Sequence, residues 1–413
     1  MDATIRRSIV SGRVRAPPSI PMAHRALLAA SLCPGGQSVI SGLPDSAEVR
    51  ATISACNAFG ADIVCEGGVA DVFGAPSLLA PSLLDCTPSF STLRLFLPVA
   101  SLFDSEVRFS GSVACPGTLK PYCAYLERLG AECVENAGKL PIRVRGPLKE
   151  SEMVYPSRLG TAFFSGLLFS LPLLETDAEI GIDGSFSRGD LFDATLDLML
   201  RCKVEVQKPF DDFLVVEGGQ YYDPLGKYEV PGSAYLSSFL ILAGVLCGKV
   251  KVDGAGRNSV LGGMLSSFSA SVQFNDSETI SSAGFLDAAK LDVPSLGAYL
   301  PHAIVLASAA DGKSTFENYA SLPRPMKRTA GILVRELSKM GVKASEEAGS
   351  LSIMGGNLSG EVLEPEGDAT AAMCCVLAAL SAKGASQVKG ADCISARSPG
   401  FFRDLASLGA IIR

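Results

Sequence analysis

The chain has 413 residues, 47% of them apolar, which suits two or three globular domains with a substantial core. Its formal net charge of −7 argues against nucleic acid or an anionic membrane as a partner. The N-terminal residues MDATIRRSIV lack the apolar core of a signal peptide, and the longest apolar stretches, near 163–174 and 235–247, are too short to span a bilayer. We therefore expect a cytoplasmic monomer.

Cysteine and histidine usage limits the chemistry. The twelve cysteines are scattered and form no C-x-x-C pair, which predicts reduced structural thiols and a reducing compartment. The sequence has two histidines, His24 and His302, and so few histidines argue against a histidine-rich metal site or a Ser-His-Asp triad. We expect a structural or solvent role for His24 and a helix-start role for His302. No metal ion and no cofactor are expected.

The first predicted element is a helix that follows a proline-rich loop. The stretch PPSIPMAHRALLAASL offers Ser19 as a cap and Pro21 at a first helical position. The N-terminus of a helix after a tight loop is a ready anion site. Arg25 is the one cationic side chain in this stretch. We expect any anion site here to be weak, partly exposed and sensitive to salt.

A pattern of amphipathic helix, turn and short strand then recurs six times along the chain. It appears as ISACNAFGADIV, CAYLERLGAECV, DLMLRCKVEVQ, GMLSSFSASVQF, RELSKMGVKAS and RDLASLGAIIR. The turns fall 66 to 73 residues apart, at Gly60, Gly130, Lys203, Ser269, Gly341 and Gly409. Glycine supplies the left-handed conformation that follows a helix, so Lys203 and Ser269 should strain or reshape their turns. The spacing predicts six repeated units.

Each unit also contains a second helix that is apolar on most sides and is therefore predicted to be buried. These helices are predicted at 24–31, 91–101, 161–171, 237–246, 301–310 and 370–381. One buried and one amphipathic helix in each of six units indicate two pseudo-symmetric domains of three units each.

Several segments, taken in chain order, resemble the EPSP synthase family of enolpyruvyl transferases. APPSIPMAHRALLAASL is similar to the family's P-G-S-K-S-x-x-x-R-A-L loop and helix, PDSAEVRATISACNAFGAD to its D-S-x-D-V segment, and CTPSFSTLRLF to its G-N-S-G-T-x-x-R turn. TLDLMLRCKVEV, GKVKVDGAGRNSVLGG and ARSPGFFRDLASLGA match further segments. The resemblance covers nearly the whole chain.

The resemblance implies an α/β (α+β) protein with the two-domain inside-out enolpyruvyl transferase fold. Six βαβαββ-type repeats would lie three in each domain. The expected domains are 16–229, and 1–15 together with 230–413, so that the N-terminal strand belongs with the C-terminal domain. A cleft between the domains would hold the ligand.

The resemblance also implies a reaction. In the family, enolpyruvate moves from phosphoenolpyruvate to the 5-hydroxyl of shikimate 3-phosphate, a step of the shikimate pathway to aromatic amino acids. The reaction passes through a tetrahedral intermediate and releases phosphate. It requires positive charge for two phosphates and a carboxylate, and carboxylates for proton transfer.

Most of the charged motif positions carry other residue types in this chain. The replacements are Ile20 for the lysine expected to hold phosphoenolpyruvate, Phe90 for the turn glycine, Gly117 for an anion-binding arginine, Ala298 for the aspartate, Thr370 for the arginine of D-H-R-M, and Ala396 for the C-terminal lysine. The family's K-E-S-D-R segment reads MKRTA from Met326, without a carboxylate. No catalytic residue is assigned.

The remaining positions predict substrate binding. They are Ser19, Arg25, Thr161, Ser187, Arg188, Lys327 and Arg328. The ligand would be a small anion resembling shikimate 3-phosphate in the interdomain cleft, or none. Arg94 matches a family arginine that we interpret as structural.

Three hypotheses about function follow. The first, favoured by the lost charges, is a non-catalytic or repurposed homologue. The second is a functional 3-phosphoshikimate 1-carboxyvinyltransferase with an unorthodox site. The third is a different reaction on a less charged ligand in the same cleft, which Ile20 and Phe90 make more apolar.

Overall fold

The computed structural model describes residues 1–113, 115, 117–183, 190–256, 258–275 and 277–413. They divide into two compact units. The N-terminal unit is Pro18–Pro231, and the C-terminal unit is Met1–Pro17 together with Gly232–Arg413. The chain therefore passes from one unit to the other twice, each time next to a proline.

The first two strands, β1 (Ala3–Arg6) and β2 (Val10–Arg15), belong to the C-terminal unit. The elements of the N-terminal unit are α1 (Ile20–Ser31), β3 (Gln37–Ser41), α2 (Ala47–Ala58), β4 (Asp62–Glu66), β5 (Val69–Phe73), β6 (Leu83–Asp85), α3 (Phe90–Ala100), β7 (Val107–Ser110), α4 (Lys120–Arg128), β8 (Glu132–Asn136), β9 (Lys139–Arg145), β10 (Glu152–Tyr155), α5 (Gly160–Ser170), β11 (Ala178–Ile182), α6 (Asp190–Arg201), β12 (Val206–Phe210), β13 (Phe213–Val216) and β14 (Lys227–Glu229).

The chain then returns to the C-terminal unit. Its further elements are α7 (Ala234–Cys247), β15 (Gly248–Asp253), α8 (Ser259–Ser267), β16 (Ser271–Phe274), β17 (Glu278–Ser282), β18 (Lys290–Asp292), α9 (Val293–Leu296), α10 (Leu300–Ala309), β19 (Lys313–Glu317), α11 (Arg324–Lys339), β20 (Lys343–Glu347), β21 (Ser350–Met354), β22 (Val362–Leu363), α12 (Ala369–Ser381), β23 (Ala385–Val388), α13 (Cys393–Arg397), α14 (Phe401–Ser407) and β24 (Ile411–Ile412).

In the described residues these strands form six four-stranded sheets, three in each unit. The orders are β14-β3-β5-β4, β6-β7-β9-β8 and β10-β11-β13-β12 in the N-terminal unit, and β16-β17-β15-β2, β18-β19-β21-β20 and β22-β23-β1-β24 in the C-terminal unit. The prediction of six repeated units is confirmed. The first two strands pair with strands of the C-terminal unit, β1 with β23 and β2 with β15.

The six predicted turns all adopt the left-handed backbone conformation. The φ angles of Gly60, Gly130, Gly341 and Gly409 lie between 93° and 105°. Lys203 (61°) and Ser269 (54°) adopt positive φ as well, at a cost of about 1–2 kcal/mol for a side chain with a Cβ atom. The geometry of the repeat therefore overrides the local preference of these two residues.

The second helix of each repeat is buried, as predicted. These helices are α1, α3 and α5 in the N-terminal unit and α7, α10 and α12 in the C-terminal unit. Each unit has its own apolar core around them. The close approach of α3 and α5 needs Gly166, because a Cβ atom there would lie 2.2 Å from the carbonyl oxygen of Leu95.

The twelve cysteines are free thiols, and eight of them are buried. Burial raises the pKa of thiols such as Cys56 to about 12, so they stay protonated and behave as small apolar groups. Among the residues that the structure describes, no helix combines the length and apolar character needed to cross a bilayer.

Candidate functional site

The proline-rich loop leads into α1 through Ser19, as the sequence predicts. Ser19 precedes the helix in an extended conformation, and its carbonyl oxygen accepts from the N–H groups of Met22 and Ala23. Its own N–H donates to the carbonyl oxygen of Pro231 at 2.9 Å. The side chain makes no capping hydrogen bond and is 7% exposed. Ser19 therefore ties the start of α1 to the end of the N-terminal unit.

Arg25 lies inside the N-terminal unit, with 2% of its surface exposed. Its Nε–H donates to Ser165 Oγ and Thr195 Oγ1, each at 3.0 Å. Nη1 donates to the carbonyl oxygen of Pro21 at 2.8 Å, and Nη2 to that of Thr161 at 3.2 Å. Arg25 thus joins α1, α5 and α6. The expectation of a partly exposed site at Arg25 is wrong, because hydroxyl groups of α5 and α6 surround its guanidinium group.

The charge of Arg25 is poorly compensated within the unit. Burial, together with the nearby positive charge of Arg94, lowers the pKa of Arg25 to about 9. Neither guanidinium forms an ion pair with a carboxylate in the described part of the chain. One N–H on each terminal nitrogen of Arg25 also has no hydrogen bond to a described residue. Arg25 and Arg94, which form no ion pair in the described residues, are therefore the candidate anion-binding residues of the N-terminal unit.

Phe90 occupies the position of the family's turn glycine, and its ring fills the space beside Arg94. The guanidinium carbon of Arg94 lies 4.4 Å from the centroid of the Phe90 ring. The edge of Tyr122 contacts the same ring, with centroids 6.1 Å apart. Ser89 caps α3 by accepting from Thr92 N–H at 3.0 Å. The backbone turn is therefore kept, and the space that a glycine would leave open holds an aromatic side chain.

His24 is buried next to this cluster and has a structural role. Its Nδ1 lies 2.6 Å from Thr52 Oγ1, which lies 2.6 Å from Thr92 Oγ1. Its Nε2 is 3.8 Å from the carboxylate of Glu48 and has no hydrogen-bond partner in the described residues. Burial lowers the pKa of His24, although Glu48 opposes this. A neutral imidazole that links α1 to α2 and, through Thr52, to α3 is the role that these contacts support.

The C-terminal unit has a small cavity of about 140 Å³ where three replaced motif positions meet. Ala298, Met326 and Thr370, which the resemblance places in three separate motifs, all line it. The other lining residues are Tyr235, Gly297, Leu300, Pro301 and Thr329. We call this the C-unit pocket. None of its lining side chains is charged.

Hydroxyl groups supply the polar character of the C-unit pocket. Tyr235 Oη and Thr370 Oγ1 are 3.3 Å apart. Thr329 Oγ1 donates to Asp368 at 2.6 Å, and Asp368 also accepts from Ala371 N–H at 3.0 Å as the cap of α12. The aspartate that survives from the D-H-R-M motif is therefore engaged in holding a helix end. Sequence reasoning missed Tyr235 and Thr329, whose motif signal is weak.

The remaining predicted binding residues are placed as follows. Lys327 Nζ pairs with Glu346 at 3.2 Å and lies 5.4 Å from the ring centroid of Tyr319, and Arg328 is exposed. Neither lines the C-unit pocket, although they flank Met326 and Thr329 in sequence. Thr161 contributes its carbonyl oxygen to Arg25. Ser187 and Arg188 lie outside the described residues.

One cation lies close to the C-unit pocket. The guanidinium carbon of Arg397, next to the position expected for the C-terminal lysine, is 5.2 Å from the ring centroid of Tyr235. The Arg397 side chain is exposed. In the described residues, no group of three or more His, Cys, Asp or Glu side chains is arranged to hold a metal ion.

The comparisons with known proteins agree with the motif order and the six sheets. The family model for EPSP synthase (3-phosphoshikimate 1-carboxyvinyltransferase) matches residues 6–405. The chain belongs to the EPSP synthase family. A 3-phosphoshikimate 1-carboxyvinyltransferase of Methanocorpusculum labreanum is 31% identical to it, with 100% of both chains covered. One of Clostridium perfringens is 29% identical, over 99% of this chain and 98% of the relative.

Solved structures of EPSP synthases and a related enolpyruvyl transferase share the fold. EPSP synthase from Acinetobacter baumannii superposes with a TM-score of 0.85 at 17% identity, covering 100% of this chain and 99% of that one. The enolpyruvyl transferase NikO from Streptomyces tendae gives 0.77 at 16% identity, covering 100% and 98%. The predicted enolpyruvyl transferase fold is confirmed.

This chain has the fold of the EPSP synthase family, and the residues at the motif positions can be located on it. The N-terminal unit has Arg25 and Arg94, and the ring of Phe90 packs against Arg94 and Tyr122. The C-unit pocket has hydroxyl and apolar groups in place of the charges that the motifs imply. Such a pocket suits an uncharged group better than a phosphate or a carboxylate, because a buried anion needs cationic or N–H partners.

Proposed function

We propose that this EPSP synthase family protein is a non-catalytic or repurposed homologue that does not transfer enolpyruvate from phosphoenolpyruvate to shikimate 3-phosphate. The observation that carries the proposal is the C-unit pocket. Ala298, Met326 and Thr370 lie together there, so the three motif replacements affect one place. A single misaligned motif would not produce this convergence.

The energetic consequence of these replacements is large. Each lost charge-assisted contact to a bound anion typically costs about 1.5–3 kcal/mol. Ile20 and Gly117 in the N-terminal unit, where the resemblance implies a lysine and an arginine, add to the loss of the arginine at Thr370. Several such losses would weaken binding of phosphoenolpyruvate by many orders of magnitude, even where the individual effects do not add.

Proton transfer meets the same difficulty. The reaction of the family needs a carboxylate near the substrate hydroxyl and the methylene carbon. The expected aspartate position is Ala298, and the MKRTA segment from Met326 contains no carboxylate. Asp368 is close to the C-unit pocket but accepts hydrogen bonds from Thr329 and from the start of α12. It supports the pocket wall more readily than it supplies a mobile proton.

The second candidate is a functional 3-phosphoshikimate 1-carboxyvinyltransferase with an unorthodox site. The full-length match to curated relatives favours it, since those proteins carry that name over the same length of chain. Arg25 and Arg94, two positive charges close enough to affect each other, offer a phosphate partner. It requires catalysis without the charges expected at the C-unit pocket.

A coupled phosphate-release assay separates these candidates. The purified protein is mixed with phosphoenolpyruvate and shikimate 3-phosphate, and the Methanocorpusculum labreanum relative serves as the positive control. We expect no release above the rate without enzyme. Turnover of about 1 per second or faster, ordinary for enzymes, would establish the second candidate and end the first.

A further inference from the structure

Four helices of the C-terminal unit begin at the C-unit pocket. Tyr235, Leu300, Met326 and Thr370 line it from the first turns of α7, α10, α11 and α12. The first N–H groups of a helix bind anions when they are free, and the helix dipole gives this end a partial positive charge. The state of these N–H groups therefore decides which charge the pocket can accept.

Each of the four helices has at least one of these donors occupied or missing. In α7 the Oγ of Ser233 accepts one N–H at 3.2 Å, and in α12 a carboxylate oxygen of Asp368 accepts one at 3.0 Å. In α10 and α11, Pro301 and Pro325 stand at the second position and have no N–H group. An anion in the pocket would find few N–H donors and no cationic side chain in its lining.

A cation is disfavoured for different reasons. The lining of the pocket contains no carboxylate, and Asp368 already accepts hydrogen bonds from Thr329 and from the start of α12. The guanidinium carbon of Arg397 is 5.2 Å from the ring centroid of Tyr235, so a positive charge lies beside a lining residue. The positive ends of the helices act in the same direction. The pocket therefore suits a neutral ligand.

The hydroxyl groups of the pocket offer both a donor and an acceptor. Tyr235 Oη and Thr370 Oγ1 are 3.3 Å apart, and one of their two protons lies between them. The other O–H has no acceptor in the described part of the chain. Thr329 gives its proton to Asp368 at 2.6 Å, so its oxygen serves as an acceptor only. A ligand hydroxyl both donates and accepts, whereas a carboxylate only accepts and an ammonium group only donates.

The other walls of the pocket are apolar and can be reached from solvent. Leu300, Pro301 and Met326 present hydrocarbon or thioether surface, which favours the methylene groups of a ligand. Ala298 is exposed, and Met326 and Thr370 are half-buried. The volume of about 140 Å³ is below the usual range for drug-sized ligands, so the ligand must be small.

We propose that the C-unit pocket binds a small neutral alcohol. The alcohol oxygen accepts from the Tyr235–Thr370 pair, its O–H donates to Thr329 Oγ1, and its hydrocarbon part lies along Met326 and Ala298. This assignment rests on the proposed function, because it requires that the pocket no longer takes up phosphoenolpyruvate. It adds the chemical class of the ligand that replaces it.

NMR of carbon-13-labelled methionine methyl groups tests the site with three probes that share one ring: cyclohexanol, cyclohexanecarboxylate and cyclohexylamine. The Met326 signal, assigned with Met326→Leu, reports on the pocket. Met354, exposed on β21 of the same unit, is the internal control and should not respond. We expect cyclohexanol to shift the Met326 signal and both charged probes to bind at least about tenfold more weakly.

Two variants with one matched control test the named groups. Thr370→Val removes a hydroxyl with little change of shape and should weaken cyclohexanol binding about threefold or more. Thr315→Val, on β19 of the same unit and outside the pocket, should bind like wild type. Ala298→Asp adds a carboxylate to the lining, so it should bind cyclohexylamine more tightly than wild type does. Thermal unfolding of each variant checks that it is folded.

The alcohol site is overturned if cyclohexanol leaves the Met326 signal unchanged up to its limit of solubility, or if a charged probe binds as tightly. It is equally overturned if Thr370→Val binds cyclohexanol like Thr315→Val. Phosphate release in the coupled assay would overturn the proposed function and this assignment together. Failure of cyclohexanol to bind to a protein that releases no phosphate would overturn this assignment alone.

Discussion

The guanidinium carbon of Arg94 lies 4.4 Å from the ring centroid of Phe90, four residues earlier on the same helix. The resemblance places the glycine of the family's G-N-S-G-T-x-x-R turn at Phe90 and its arginine at Arg94. In this chain the Phe90 ring lies between the Arg94 guanidinium group and the ring of Tyr122. Phe90 therefore packs at the start of α3, which Ser89 caps.

Replacing Phe90 measures how much stability the ring contributes. We expect Phe90→Ala to lower the free energy of unfolding by about 1–2 kcal/mol, since the ring is half-buried against Tyr122. Phe90→Leu keeps apolar contact but removes the interaction with Arg94, worth about 0.5–1 kcal/mol. Urea unfolding of the three proteins checks this. If Phe90→Ala is as stable as wild type, the contacts of the Phe90 ring do not contribute to the free energy of unfolding.

Arg25 is expected to contribute little to the stability of the unliganded protein. Its hydrogen-bond partners keep others without it: Ser165 Oγ donates to the carbonyl oxygen of Thr161, and Thr195 Oγ1 to that of Leu191. Burial of its charge is unfavourable, as its lowered pKa of about 9 indicates. We therefore expect Arg25→Met to unfold within about 1 kcal/mol of wild type.

The same variant tests anion binding by Arg25, which stays a prediction. Shikimate 3-phosphate is titrated by calorimetry into wild type and Arg25→Met at low and high salt. We expect weak binding to wild type and about tenfold weaker binding to the variant, because a charge-assisted contact is lost. Arg145→Met, which removes an exposed cation paired with Asp104 in the same unit, is the control and should bind like wild type. Equal binding by wild type and Arg25→Met would remove Arg25 from any anion site.

The repeated helices and turns of the fold could be predicted from the sequence. The sites formed by residues that are distant in sequence could not. Gly60 and Gly130 mark turns because few other residues adopt positive φ, and the spacing of the repeat located Lys203 and Ser269 as well. The C-unit pocket joins residues as distant as Tyr235 and Thr370, which periodicity does not relate. The burial of Arg25 likewise depends on the hydroxyl groups of Ser165 in α5 and Thr195 in α6, and neither residue belongs to a recognisable motif.

Asp368 should act as a helix cap. It accepts from Ala371 N–H at 3.0 Å at the start of α12 and from Thr329 Oγ1 at 2.6 Å. We expect Asp368→Ala to lower the free energy of unfolding by about 1–2 kcal/mol, and Asp368→Asn, which keeps the capping oxygen, to cost less than about 0.5 kcal/mol. Thermal or urea unfolding distinguishes them. Equal losses in both variants would mean that the charge, and not the cap, is what α12 requires.

His302 should make the protein sensitive to acid. It is fully buried in α10, its Nε2 lies 2.7 Å from Ser238 Oγ, and the rings of Tyr235, Phe239 and Tyr299 surround it. Burial lowers the pKa of His302 from 6.5 to about 3. Between these values the unfolded chain binds a proton that the folded protein does not. Stability is therefore greatest above pH 6.5 and falls as the pH decreases toward 3, by about 1.4 kcal/mol per pH unit.

The variant His302→Gln isolates this contribution, because it keeps a polar group near Ser238 but does not titrate. Urea unfolding of both proteins at pH 7 and at pH 4.5 gives two differences in the free energy of unfolding. We expect wild type to lose about 3 kcal/mol more than the variant over this interval. His24→Gln should show a smaller effect of the same sign, since Glu48 opposes the influence of burial on the pKa of His24. Parallel losses in wild type and His302→Gln would place the acid sensitivity in other groups, the carboxylates first.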